Sequence, residues 1–203
     1  MVMAGCTPWL FGPRLHAGVF RFGGRLRARR GPHAPYLEIC LAAVSRQYDS
    51  GQMTMGAVYR LATLKDASGL YDVRRRSILE LAPPKMSVAE AQAWAAKLTP
   101  SGMERKLREL EVWVVELDGT VAGWGAVQGD RLEGLYAAPE FAGQGVGAGL
   151  LDLLEGLMRS RKFPSAHAEA SSNARDFYLR HGYRATGPQT PEGVWPMAKE
   201  FLA

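Results

Sequence analysis

Four glycines at alternate positions, Gly143, Gly145, Gly147 and Gly149, constrain this chain more than any other feature. They follow a strand-patterned stretch. They lead into a segment whose Val146, Leu150, Leu153, Leu154 and Leu157 fall on one helical face. Glycines there let the backbone turn tightly and let a ligand approach without meeting a Cβ. The first amides of the helix have no partner within it, and their dipoles favour an anion, above all a pyrophosphate. Taken alone, the loop fits two anion-binding schemes, because Gly143-x-Gly145-x-x-Ala148 also matches a loose dinucleotide fingerprint. That fingerprint belongs at the first turn of a parallel βαβ unit. Here residues 138–142 separate strand from loop, and a hairpin meander comes before. No Gly-Lys-Ser/Thr follows, which excludes a nucleotide P-loop.

The rest of the organised region sets the context. Residues 56–62 read as a strand. Thr63-x-x-Asp66, Ser87-x-x-Glu90 and Ser101-x-x-Glu104 each carry a capping-box start signal. After the first, Leu70, Val73, Ile78 and Leu81 recur at helical spacing, and Ala82-Pro83-Pro84 stops that helix. The period changes to two from Val112 to Leu117, and Asp118-Gly119 predicts a hairpin. Strands follow at 121–127, broken by Gly123 and Gly125, and at 132–137. Beyond the glycine loop and its helix lie a short strand at 166–170, a helix at 173–180 and late strands at 183–186 and 194–201. This order predicts an α+β fold: a central mixed, largely antiparallel twisted sheet flanked by helices, not repeated βαβ units.

The net charge of +5 belongs to one quarter of the chain. Residues 1–55 hold seven Arg and two acids, whereas 56–203 hold equal numbers of bases and acids. The expected organisation is a basic, poorly ordered extension over 1–55 and one domain over 56–203. A short helix at 36–47 is the extension's one candidate element, and Met53 and Met55 are alternative starts. The extension's arginines follow its apolar start and no long apolar run comes after them, which argues against a secretory signal; an organellar presequence and a nucleic-acid-binding arm stay open. The neutral domain gives no electrostatic case for nucleic acid. Cys6 and Cys40 are the only cysteines, too few for a disulfide framework or a Cys-rich zinc site. No apolar run is long enough to cross a membrane. The expectation is a cytoplasmic protein with no metal.

Two stretches together resemble the GCN5-related N-acetyltransferase (GNAT) superfamily. The first runs Leu135-Tyr136-Ala137-Ala138-Pro139-Glu140-Phe141-Ala142-Gly143-Gln144-Gly145-Val146-Gly147-Ala148-Gly149. The second is Asn173-Ala174-Arg175-Asp176-Phe177-Tyr178, with Gly182-Tyr183 after it. The resemblance implies an acyl-CoA N-acyltransferase fold and acetyl transfer from acetyl-CoA to a primary amine in a ternary complex. Its alternative is an acyl-CoA-binding domain without catalysis. It implies that Gly143, Gln144, Gly145, Val146, Gly147 and Ala148 hold the CoA pyrophosphate. Leu135, Tyr136 and Ala137 would run beside the pantetheine arm, with Asn173, Phe177 and Tyr178 also at the cofactor. A backbone amide of Tyr136 or Ala137 would polarise the thioester carbonyl. The family often carries Arg or Gln where Ala142 stands, so backbone amides should dominate the phosphate contact.

The resemblance also implies the chemistry. Tyr178 is the expected general acid toward the departing sulfur. Glu133, four residues before Ala137, is the first candidate for the base that deprotonates the amine; Glu169, His167 and His181 are weaker ones. Trp94, Tyr71 and Tyr136 are the expected acceptor-side residues, and the run Arg74-Arg75-Arg76 reads as a solvated face, of which one member could still meet an acidic substrate. The acceptor is expected to be a small-molecule amine or a peptide amine. A homodimer is also an option, with strand 194–201 as its only hint.

Overall fold

The computed structural model describes residues 56–83 and 86–201. The expected extension with its helix at 36–47, its two cysteines, its alternative starts and Pro84 lie outside the described residues.

Among the described residues seven strands form one sheet: β1 (Ala57–Leu61), β2 (Glu111–Leu117), β3 (Thr120–Gln128), β4 (Arg131–Ala137), β5 (Ser165–Ser171), β6 (Arg184–Ala185) and β7 (Val194–Glu200). Their order is β1-β2-β3-β4-β5-β7-β6. Only β4 and β5 run parallel; every other neighbour is antiparallel. The sheet is thus mixed and largely antiparallel, as the sequence predicts. Strand β7 is held on both sides, by β5 and the short β6, so it is not a sheet edge.

The helices are α1 (Ala67–Leu81), α2 (Val88–Ala96), α3 (Pro100–Glu109), α4 (Val146–Ser160) and α5 (Arg175–Arg180). Side chains alternate across a strand, so β3 shows how the layers stack. Trp124 is fully buried and donates its indole N–H to the Leu70 carbonyl of α1 at 2.9 Å. Its neighbours Gly123 and Gly125 face α4 on the other side. A Cβ on Gly123 would lie 2.7 Å from the Tyr136 carbonyl oxygen and 2.8 Å from Val146 Cγ1. One on Gly125 would lie 2.7 Å from Leu154 Cδ1. The two glycines that interrupt the β pattern therefore let α4 lie flat on the sheet. Buried Glu155 of α4 accepts from Lys199 Nζ of β7 at 2.7 Å and Arg159 at 2.6 Å, tying that helix to the far half of the sheet.

Local signals are mostly obeyed. Asp118 (φ 49°) and Gly119 (φ 77°) make the β2–β3 turn with two left-handed residues. Ser87 and Glu90 close a full capping box at α2. The third start signal is displaced: the N-cap of α3 is Thr99, which accepts from Gly102 N at 3.0 Å, with Pro100 at the first helical position. Proline has no N–H to lose there, and its φ suits a helix start.

The register of β4 shapes everything that follows. Its pairing with β3 passes from Ala126↔Gly134 to Val127↔Leu132, so Glu133 is an extra residue, a β-bulge. On its other edge β4 pairs with β5 only at Arg131↔His167 and Leu132↔Ala168. Past the bulge the two parallel strands part.

The layer spacing predicts opposite outcomes for two substitutions to alanine. Gly123→Ala should lose about 1–3 kcal/mol by overpacking against backbone and Val146. Gly69→Ala, exposed on α1 with nothing within 4 Å of its Cβ position, should gain about 0.5–1 kcal/mol from helix propensity. Urea denaturation of the two variants checks both signs.

Candidate active site

The gap between β4 and β5 is lined by main chain of known orientation. Ala138 N donates to Ala122 O at 2.8 Å. Pairs Ala122–Ala138 and Trp124–Tyr136 therefore share hydrogen-bonding parity, and the polar backbone of Gly134 and Tyr136 turns to β3. The backbone N–H and C=O of Leu135 and Ala137 turn the opposite way, into the gap. Of the two amides the sequence left open, Ala137 is the one facing the gap.

At the end of β4, Pro139–Phe141 forms a 3-10 turn and leads into the glycine loop. Gly143 (φ 76°) and Gly145 (φ 83°) take left-handed backbone, and Gly145 is the N-cap of α4. Gly149 N bonds back to Gly145 O at 2.9 Å. The preceding amides of Val146, Gly147 and Ala148 thus lie at the open end of the helix. The Cβ positions of Gly143 and Gly145 meet nothing within 4 Å, so space for a ligand lies over the loop. Ala142 is exposed, and Gln144 folds its side chain back to donate to Glu140 O at 2.9 Å. This set of main-chain donors fits a pyrophosphate.

The second motif joins this loop from the far side of the gap. Phe177 lies 3.5 Å from the Cβ position of Gly147 and stacks on His181. Asn173 is not the helix cap: α5 begins at Arg175 with Ala174 as N-cap, and Asn173 Oδ1 accepts from Ser171 Oγ at 2.7 Å. Asn173 therefore shapes the turn from β5 into α5. Tyr178 is 6% exposed, edge-on to Phe177 and Tyr183 at 5.4 and 5.2 Å between centroids. Burial, and then the neighbouring Tyr136, pushes its phenol well above the usual range, so it carries its proton at neutral pH.

A cavity of about 220 Å³ opens where the strands part. Its wall brings together Glu133, Tyr136, Tyr178, Asn173, Leu135 and Trp94, all named from sequence. Glu133 is half-buried, with Arg131 Nε at 3.7 Å; Arg131 Nη2 also reaches Glu169 at 3.2 Å on the same wall. Three expected residues lie elsewhere. Tyr71 packs in the core cluster around Leu70 and Trp124 and is not in the cavity wall. His181 donates from Nδ1 to Phe177 O at 2.8 Å, capping α5. His167 Nε2 lies 3.0 Å from Ser165 Oγ, also outside the wall.

Arg74 departs from the solvated face that its run of three arginines suggests. It is not on a solvated face but buried, donating to Ala95 O at 3.0 Å and Trp94 O at 3.1 Å. Its guanidinium also sits 5.6 Å from the Tyr136 ring. A cation at the C-terminal carbonyls of α2 meets both the open acceptors and the helix dipole. The signal was present in spacing: Leu70, Val73 and Arg74 fall on one face at i, i+3, i+4.

A splayed parallel pair, a helix-end anion cradle and a protonated phenol beside them define a protein built to bind an acyl-CoA and act on it. The family model for the acetyltransferase (GNAT) domain matches residues 82–200, more than half of the chain. The chain belongs to the GNAT family and is an acetyl-CoA-dependent N-acetyltransferase. A GCN5-related N-acetyltransferase from Rhodopseudomonas palustris shares 25% identity over 70% of this chain and 94% of its own, with a TM-score of 0.66. The PaiA N-acetyltransferase from Thermoplasma acidophilum, solved in complex with coenzyme A, shares 18% over 72% of this chain and 100% of its own, TM-score 0.62. A GNAT-family acetyltransferase from Streptococcus pneumoniae shares 21% over 72% and 99%, TM-score 0.54. No curated protein matches the chain. Among the described residues no group of three or more His, Cys, Asp or Glu is placed to hold a metal. No described helix is long and apolar enough to cross a membrane.

Arg74→Met strips both guanidinium bonds, from Ala95 O and from Trp94 O, the latter keeping its bond from Lys97 N at 3.2 Å. The expected cost is about 1–3 kcal/mol. Denaturation should report that loss while calorimetric CoA affinity stays near its native value, because the cradle lies on the opposite face of the sheet.

Proposed function

We propose that the chain moves an acetyl group from acetyl-CoA directly to a primary amine in a ternary complex, with Tyr178 as general acid. The observation that carries this reading is the position of Tyr178: a buried, protonated phenol in the wall of the cavity where β4 and β5 part. Acetyl-CoA supplies a thioester carbonyl open to amine attack and a thiolate leaving group.

The chain's own residues divide the work. Amides of Val146, Gly147 and Ala148, with Gly143, Gln144 and Gly145 shaping the loop, cradle the pyrophosphate. Backbone groups of Leu135 and Ala137 hold the pantetheine arm along β4, and the Ala137 amide polarises the thioester carbonyl. Asn173 and Phe177 fix the far side of the cofactor. Glu133 takes the proton from the incoming ammonium, directly or through water; its side chain is 30% exposed, which suits exchange with solvent. The Tyr178 phenol gives its proton to the departing sulfur. Trp94 and Tyr136 flank the acceptor, which is a small-molecule or peptide amine.

Tyr178→Phe keeps the ring and its edge contacts but removes the proton. We expect kcat to fall by roughly a hundredfold or more, with CoA affinity by calorimetry near the native value. Turnover equal to that of the native chain, measured as free thiol released with an active amine, would overturn the assignment.

A further inference from the structure

A second cavity, of about 180 Å³, lies between α2 and the loop joining β6 to β7. It shares Met86 and Trp94 with the first, so the two adjoin at these apolar side chains. The loop side is firmly built. Gln189 donates to Ser172 Oγ at 2.9 Å and to Gly193 O at 3.1 Å, and Gly193 N donates to Thr190 O at 2.9 Å. The left-handed Gly193 (φ 81°) closes that turn. Glu192 is thereby presented to the cavity opposite Glu90 of α2.

Both carboxylates are ionised. The Thr190 side chain, a backbone bond and then Lys97 hold Glu192 below the usual range. Bonds from the Ser87 hydroxyl and amide do the same for Glu90. The cavity also contains an ammonium already in place. Lys97 Nζ lies 4.1 Å from the centroid of the Trp94 ring. Lys97 is exposed on a long flexible stem, and an indole face beside a carboxylate is a general ammonium site. Across the two cavities the acids Glu133, Glu169, Glu90 and Glu192 face the bases Arg131 and Lys97. Arg74 stands outside that balance, bonded to backbone carbonyls behind the wall.

We infer that the acceptor is a linear dicationic amine, its reacting nitrogen in the first cavity and a distal ammonium in the second, on the Trp94 ring where Lys97 now lies. The apolar Met86–Trp94 wall suits the methylenes between the two nitrogens. The distal charge is read by Glu192 and Glu90. This rests on the proposed function, because it assumes that the reacting amine enters the first cavity. Lys97 then acts as a displaceable competitor: a ligand ammonium must move it aside.

That competition gives a test with opposite signs. The full chain is assayed for thiol release from acetyl-CoA with α,ω-diamines of increasing length and with monoamines of matched length. The quantity read is the ratio of kcat/KM for diamine over monoamine. The native chain should prefer diamines above a threshold length. Glu192→Gln should lower the ratio roughly three- to fivefold, and Lys97→Ala should raise it by a similar factor, as for a partly exposed cation–π and charge site. Raising the salt concentration should shrink both effects. A native ratio near one at every length, or both variants shifting it in the same direction, overturns the inference while leaving amine acetylation intact. Calorimetry of the longest diamine against the CoA-loaded chain separates the two readings. Thiol release from no amine, with diamine binding that Glu192→Gln weakens, keeps the site and removes the proposed chemistry. No diamine binding removes the site.

Discussion

One extra residue in one strand organises this molecule. With Glu133 bulged out of its pairing with β3, β4 bends and leaves β5 after two residue pairs. A parallel pair that stays zipped has no unpaired main chain to offer. Here the separation leaves the inner backbone of Leu135 and Ala137 facing a gap instead of a strand, in the middle of a sheet where such groups are normally satisfied. The bulge also sets its own side chain in the cavity, so the residue that opens the site is the candidate base within it.

The other parts of the site meet at that opening because the layers on either face are held at fixed depth. Gly123 and Gly125 bring α4 down onto β3, which sets the height of the helix end proposed to cradle the pyrophosphate. Trp124, pointing the other way, fixes α1, and Arg74 on α1 grips the last carbonyls of α2. Trp94 and Tyr136, the two aromatic flanks of the cavity, are therefore joined through one buried guanidinium. On the α4 face, Glu155 with Lys199 and Arg159 is a buried charge with full partners, and breaking such a set is costly even where forming it gains little.

Much of this was legible in sequence because the informative residues are glycines, turns and caps, whose meaning is local. The four-glycine loop, the Asp118-Gly119 hairpin, the Ser87 box and the order of strands and helices all express backbone preferences that neighbours do not override. The Phe177-Tyr178 pair was legible by family resemblance, and the structure sets Phe177 against Gly147 and Tyr178 in the cavity wall. What stayed hidden depends on distant partners. The bulge at Glu133 is a matter of register between strands, and nothing in Arg131–Ala137 alone announces it. Arg74 reads as one of three surface arginines until α2 packs across it. Tyr71 looks like a pocket residue only while the path of α1 over Trp124 is unknown. Asn173 has the side chain of an N-cap, yet Ser171 takes that oxygen and the helix starts two residues on. The β6–β7 loop carries no periodicity at all, and its part in the second cavity comes from Gln189 reaching back to Ser172.

The alternation along β4 carries a consequence for how this enzyme can change. In the proposed site the donor is met by main chain at Leu135, Ala137 and the start of α4, and a peptide group keeps its N–H whatever side chain it bears. The proposed acceptor contacts are side chains: Tyr136, Trp94, and the loop beyond β6. Mutation can thus rewrite what is acetylated while hardly touching what supplies the acetyl group. A chain with this division of labour can drift far in sequence, keep its donor, and move among acceptors by exchanging a few side chains on one side of a gap that stays open.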